Sequence, residues 1–226
     1  MSARRFTLLR LARRATIVVL ALGSLFAVVT PAPAAAAGLR STSPELARIA
    51  AEALDAVEAL DDFDGSHSFA RYLLASNRYA GLRDEAAGLA AAELGISAAT
   101  LRDAWARTDL DKQTALLAAL TQLGVPYRSH RSEAGVGFDC SGLTTYAWGV
   151  AGQELARQSR TQINNSQRLD RQAARAGDLM YYPGHVMIFL GIGDAMVHSP
   201  QSGSEVEITF LTARHLNHVV FADPTL

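Results

Sequence analysis

The chain has one cysteine, Cys140, within Phe138-Asp139-Cys140-Ser141-Gly142. Two histidine-bearing runs follow it, Pro183-Gly184-His185-Val186 and Met196-Val197-His198-Ser199. One thiol and two imidazoles can supply a nucleophile, a base and a group that orients the base. That set performs acyl transfer, as in a cysteine hydrolase. The same residue types have quieter uses. A free cysteine packs as a small hydrophobe, and a histidine beside an apolar run is commonly structural. One Cys and two His can also hold a metal ion. Here no second cysteine and no His-x-x-x-His completes a common zinc pattern, so no metal and no cofactor is expected.

The neighbouring elements must bring these groups together. Leu143 to Val150 reads as a helix that starts at Cys140. Its free N–H groups favour a thiolate and face an oxyanion on the attacked carbonyl. Leu179 to Tyr182 and Val186 to Leu190 are short apolar runs of strand type. Gly191 to Asp194 is a turn, and Ala195 to His198 returns as the next strand. On adjacent antiparallel strands, His185 and His198 can share a face, with His185 as base and His198 as its orienter. Glu205 to Phe210 alternates, with Val206, Ile208 and Phe210 on one side. His218 to Ala222 is a last strand.

Upstream, Asp109 caps a helix containing Leu116, Leu117, Leu120 and Leu123, which Gly124 ends. Ser129 to Gly137 is a polar loop. Residues 38–108 read as helical throughout. Ser43 and Pro44 start the first helix, and Asp61 to Gly65 ends it. A second runs from Ser68 to Leu94 with a break near Asn77 to Gly81, and Ser97 caps a short third through Trp105. Helices followed by consecutive strands predict an α+β fold with an antiparallel sheet.

Residues 1–37 read as a signal peptide. Arg4, Arg5, Arg10, Arg13 and Arg14 precede a short apolar run from Ile17 to Val29, and Pro31 to Ala37 supplies small residues for cleavage. An uncleaved N-terminal anchor is the other reading of this stretch. The leader holds five of the 21 basic residues and none of the 22 acidic ones, so the mature chain carries a net charge of −6. It has no general attraction to nucleic acid or anionic lipid. A lone thiol in an oxidising compartment has no intramolecular disulfide partner, which invites a chemical role.

From about Leu110 to the end, the chain resembles the NlpC-type cell-wall cysteine peptidases, a papain-like family. The matching motifs are Leu123-Gly124-Val125-Pro126-Tyr127, Phe138 to Gly142, Gly177-Asp178-Leu179, Gly184-His185-Val186 and Val197-His198-Ser199. The resemblance implies helices packed on an antiparallel sheet, preceded by a small all-helical region. The boundaries are a signal peptide at 1–37, a helical region at 38–108 and a peptidase domain at 109–226. It also implies hydrolysis of peptidoglycan stem peptides between D-glutamate and a diamino acid. Cys140 would be the nucleophile, His185 the base and His198 the third member. Tyr127 would help hold the oxyanion, while Asp139, Ser141 and Arg157 shape the substrate pocket. Relatives commonly follow the tyrosine with an aromatic and paired glycines, where this chain has Arg128-Ser129-His130-Arg131. His130 is either a surface loop residue or part of the cleft. His67, His215 and His218 match no chemical role.

The same triad would serve the amide joining muramic acid to L-alanine. A non-catalytic wall-binding protein that keeps the fold is a third reading. Expected partners are peptidoglycan stem peptides, with no stable membrane insertion after leader cleavage and a location in the cell wall or outside it. Residues 38–108 would be a pro-region, a lid or a docking element for a partner in the wall machinery.

Overall fold

The computed structural model describes residues 39–61 and 69–226. The leader assigned to residues 1–37, the helix end at Asp62 to Gly65 and His67 lie outside them. In chain order, the first elements are β1 (Arg40–Ser41), α1 (Pro44–Asp61), α2 (Phe69–Leu94), α3 (Ala98–Ala106) and α4 (Leu110–Leu120). Next come β2 (Ser132–Glu133), β3 (Gly137–Phe138), α5 (Cys140–Val150), α6 (Ser159–Asn164) and β4 (Gln167–Leu169). The chain closes with β5 (Leu179–Tyr182), β6 (His185–Phe189), β7 (Ala195–His198), β8 (Glu207–Phe210) and β9 (Val220–Asp223).

Seven strands form one sheet in the order β1-β8-β7-β6-β5-β9-β4, and every pairing in it is antiparallel. Helices α4 and α5 pack against each other and both touch β6. The fold is α+β and papain-like, with the cysteine-bearing helix laid on an antiparallel sheet. Pro183 and Gly184, the latter at φ +91°, reverse the chain between β5 and β6 and set Tyr182 opposite His185. The turn therefore fixes where the first histidine enters the sheet.

The helices begin where their caps dictate. The Leu46 amide donates to Ser43 Oγ at 3.3 Å, and the Thr100 amide donates to Ser97 Oγ at 3.3 Å. Helix α2 runs through Asn77 and Gly81 without the expected break. A glycine inside a helix costs about 1 kcal/mol. Tertiary packing offsets that here, because buried Tyr79 donates its hydroxyl to Gln113 Oε1 of α4 at 2.6 Å. One further difference lies in the loop expected from Ser129 to Gly137, and the stretch before β5 adds elements to which the sequence assigned no structure. Residues 132–138 hold the β2–β3 hairpin, and residues 159–169 hold α6 and β4. Strand β1 is too short to show a two-residue alternation.

Helices α1 to α3 share one apolar core with α4, α5 and the sheet. Trp105 is 1% exposed and donates its indole N–H to the Leu190 carbonyl at 2.8 Å. Among the described residues, no helix is long and apolar enough to cross a membrane.

Candidate active site

Cys140 is the first residue of α5, and Asp139 before it is the N-cap. The Gly142 amide donates to Asp139 Oδ1 at 2.7 Å, which satisfies one of the helix's free N–H groups. Glycine is required at position 142, because an added Cβ would sit 1.9 Å from the Arg131 carbonyl oxygen. The loop carrying Arg131 thus presses on the first turn and holds the cysteine at its tip.

Arg157 closes this side of the site. Its guanidinium grips both oxygens of Asp139, at 2.8 and 2.7 Å, and donates to Ser141 Oγ at 3.0 Å. Helped by that pair and by the Gly142 amide, the Asp139 carboxyl sits below its usual range despite the opposing effect of burial. His130, Asp139, Ser141 and Arg157 line a shallow recess here. His130 is exposed, holds φ +58°, and lies on the recess rim. Tyr127 is within electrostatic range of Cys140, Asp139 and Arg157, and burial chiefly pushes its phenol up.

The histidines come from the sheet. The register that sets Ile188 opposite Val197 continues to Met187 opposite His198, so His185 is a diagonal neighbour of His198 on the same face. His198 stands directly opposite Glu207 of β8. The side chains meet accordingly. His185 Nε2 lies 2.8 Å from His198 Nδ1, and His198 Nε2 lies 3.3 Å from Glu207 Oε1. Arg40 of β1 reaches the same carboxylate oxygen at 3.6 Å. One face of the sheet thus carries a polar row across β6, β7, β8 and β1.

The two halves meet at the thiol. The backbone N–H of Val186, next to His185, and that of Ser141 both pull the Cys140 thiol down. Burial has the larger effect, and with the Asp139 charge it leaves the thiol above its ordinary value. His185 is pushed down to about 3, chiefly by burial and then by repulsion from His198 and His215. Both shifts act in favour of a neutral thiol and a neutral imidazole over the ion pair. The helix terminus expected to favour a thiolate acts in that direction but does not outweigh the loss of solvent.

The structure therefore brings Tyr127, Asp139, Cys140, Ser141 and Arg157 together on one side and His185 with His198 on the other. It adds residues that the sequence left without a role. Glu207 is 6% exposed, although the alternation of Val206, Ile208 and Phe210 pointed it at solvent. His215 stacks on Tyr182 with ring centres 3.9 Å apart. Both belong to a cavity of about 630 Å³ that also takes in Arg40, His185, His198 and Arg214. Among the described residues, no three His, Cys, Asp or Glu side chains gather as a metal-binding set.

Two curated relatives align over part of the chain. Peptidoglycan endopeptidase RipA of Mycolicibacterium smegmatis is 35% identical over 106 residues, which is 40% of this chain and 21% of that protein. Gamma-D-glutamyl-L-lysine dipeptidyl-peptidase of Bacillus cereus is 34% identical over 94 residues, 38% of this chain and 28% of that protein. The aligned part thus spans roughly a fifth to a quarter of each relative. Among solved structures, RipD of Mycobacterium tuberculosis, described as a non-catalytic NlpC/p60 domain protein adapted to peptidoglycan binding, aligns at 27% identity. The alignment covers 53% of this chain and all of that one, with a TM-score of 0.43. The family model NlpC/P60 matches residues 124–223, the stretch that holds Cys140, His185 and His198, so this part of the chain resembles the NlpC/P60 family.

Proposed function

We propose that this chain is an exported peptidoglycan hydrolase, a cysteine endopeptidase that cuts the stem peptide between D-glutamate and a diamino acid. The observation that carries this reading is the place of Cys140, at the tip of a helix and against the Val186 N–H beside His185, an imidazole whose Nε2 is already engaged by His198. In this mechanism the Cys140 sulfur attacks the amide carbonyl as His185 takes the thiol proton. The preference for a neutral pair supports transfer during attack over a thiolate formed beforehand. The Ser141 N–H and the Tyr127 hydroxyl are the candidate donors to the oxyanion. His185 then returns the proton to the departing amine. Water enters, gives its proton to His185 and cleaves the thioester. Asp139, Ser141 and Arg157 shape the acyl side, and the cavity beyond His185 and His198 receives the leaving peptide.

The resemblance of the family stretch to named peptidoglycan peptidases supports the substrate class. The basic leader at residues 1–37 supports export. For residues 38–108 we propose docking rather than a lid. Of the described residues in that region, Arg40 of β1 reaches the cavity at His198, while helices α1 to α3 contribute no residue to it or to the recess at Arg157.

Mass spectrometry of muropeptides incubated with the mature chain tests the proposal, with Cys140→Ala as control. Fragments split after D-glutamate, absent in the control, support it. Release of whole stem peptides reassigns the chain as an amidase. No product, with muropeptides retained, makes it a wall-binding protein.

A further inference from the structure

We propose that Glu207 is a positioning residue that sets which nitrogen of His185 is bare. This inference rests on the catalytic reading above. A carboxylate only accepts hydrogen bonds, so in a neutral His198 ring Glu207 Oε1 selects the tautomer with its proton on Nε2. His198 Nδ1 is then a lone pair. Its partner at 2.8 Å, His185 Nε2, must donate to it. The His185 proton is thereby held at Nε2, and Nδ1 is left free to accept the thiol proton.

The opposite sense would aim the bare Nε2 of His198 at a carboxylate and put the His185 proton on Nδ1. Such an imidazole could not act as base toward Cys140. The choice between the two senses is made two side chains away from the thiol. Glu207 and His198 are 6% and 7% exposed, so water does little to mask a mismatch. Arg40 lies 3.6 Å from the same carboxylate oxygen. Nothing in the alternation around Val206 and Ile208 marks position 207 for this role.

The test reads the imidazole nitrogens directly, by ¹⁵N NMR on the substrate-free mature chain, assigned with His185→Gln and His198→Gln. The expected result is the Nε2–H tautomer for both rings. In Glu207→Gln the side-chain amide can donate as well as accept, so His185 becomes a tautomer mixture. Muropeptide turnover should then fall in kcat by about 10- to 100-fold with KM unchanged. Glu207→Asp, which restores a pure acceptor, should recover the Nε2–H form and part of the rate. A wild-type His185 protonated at Nδ1 overturns the proposal. So does a Glu207→Gln variant with unchanged tautomers and unchanged kcat. Because the tautomers are read without substrate, a chain that cuts no muropeptide fails the catalytic reading while the NMR result still decides the role of Glu207.

Discussion

Two buried polar sets in this molecule hold their protons in opposite ways. Lys112 of α4 lies 2.7 Å from Asp178 and also pairs with Asp223 of β9. His185, His198 and Glu207 form the other set, with Arg40 at its rim. In the first, one ammonium faces two carboxylates. Burial and the Asp223 charge push the Asp178 carboxyl up, while Lys112 and the Thr225 donors hold that of Asp223 down against burial. Its protons are locked by charge, and it ties α4 to the sheet. In the second, two imidazoles are joined by a hydrogen bond that can run either way. Charge saturation makes a fastener, and a directional choice makes a proton path.

The sharpest way to break this contrast is to delete one member of each set. His185→Gln should reduce turnover by about 10²- to 10⁴-fold, measured as kcat on muropeptides, with little change in melting temperature. Lys112→Met should do the reverse. It leaves two carboxylates buried without a cation, which costs about 3–5 kcal/mol in denaturant unfolding, with kcat per folded molecule unchanged. If Lys112→Met cuts kcat at full folding, the first set is no mere fastener.

Acid titration sharpens the comparison. The folded His185 takes a proton only near pH 3, against 6.5 when unfolded. The unfolded chain therefore binds more protons between these values, and stability conferred by the neutral ring is lost as pH falls through that window. The slope is at most about 1.4 kcal/mol per pH unit. Wild type minus His185→Gln, followed by urea unfolding from pH 6.5 downward, should show it. A flat difference would mean that His185 is solvated. The smallest effect is expected from Arg40→Gln. This guanidinium is largely exposed, so its pair with Glu207 should contribute under about 1 kcal/mol to stability. A loss as large as that of Lys112→Met would make Arg40 a fastener too.

The sequence made half of the second set legible. Cys140, His185 and His198 stand at recognisable edges of apolar runs, and a two-residue period suffices to place both imidazoles on one face. Glu207 was hidden by the same rule. Alternation names a buried face and leaves its opposite to solvent, but β8 is flanked by β1 and β7 and is buried on both sides. Arg157 was one arginine among several until the fold placed its fork on Asp139. The first set was marked only at Asp178, in the run Gly177-Asp178-Leu179, because its partners Lys112 and Asp223 are far from it in sequence. The role of Trp105 depends on the Leu190 carbonyl, equally distant along the chain. Helix starts at Ser43 and Ser97 were readable because capping is local, whereas the uninterrupted α2 depends on Tyr79 reaching α4.

Strand β1 has a consequence in time. The Leu39 carbonyl accepts from Thr209 Oγ1 across 170 positions of sequence, and Arg40 pairs with the same distant strand. A chain made from its N-terminus delivers β1 long before its partner strand β8. Pairings between such remote segments close late in folding. The edge that brings Arg40 to Glu207 is thus assembled only after synthesis has passed β8, and a nascent or prematurely ended chain that stops before β8 lacks it.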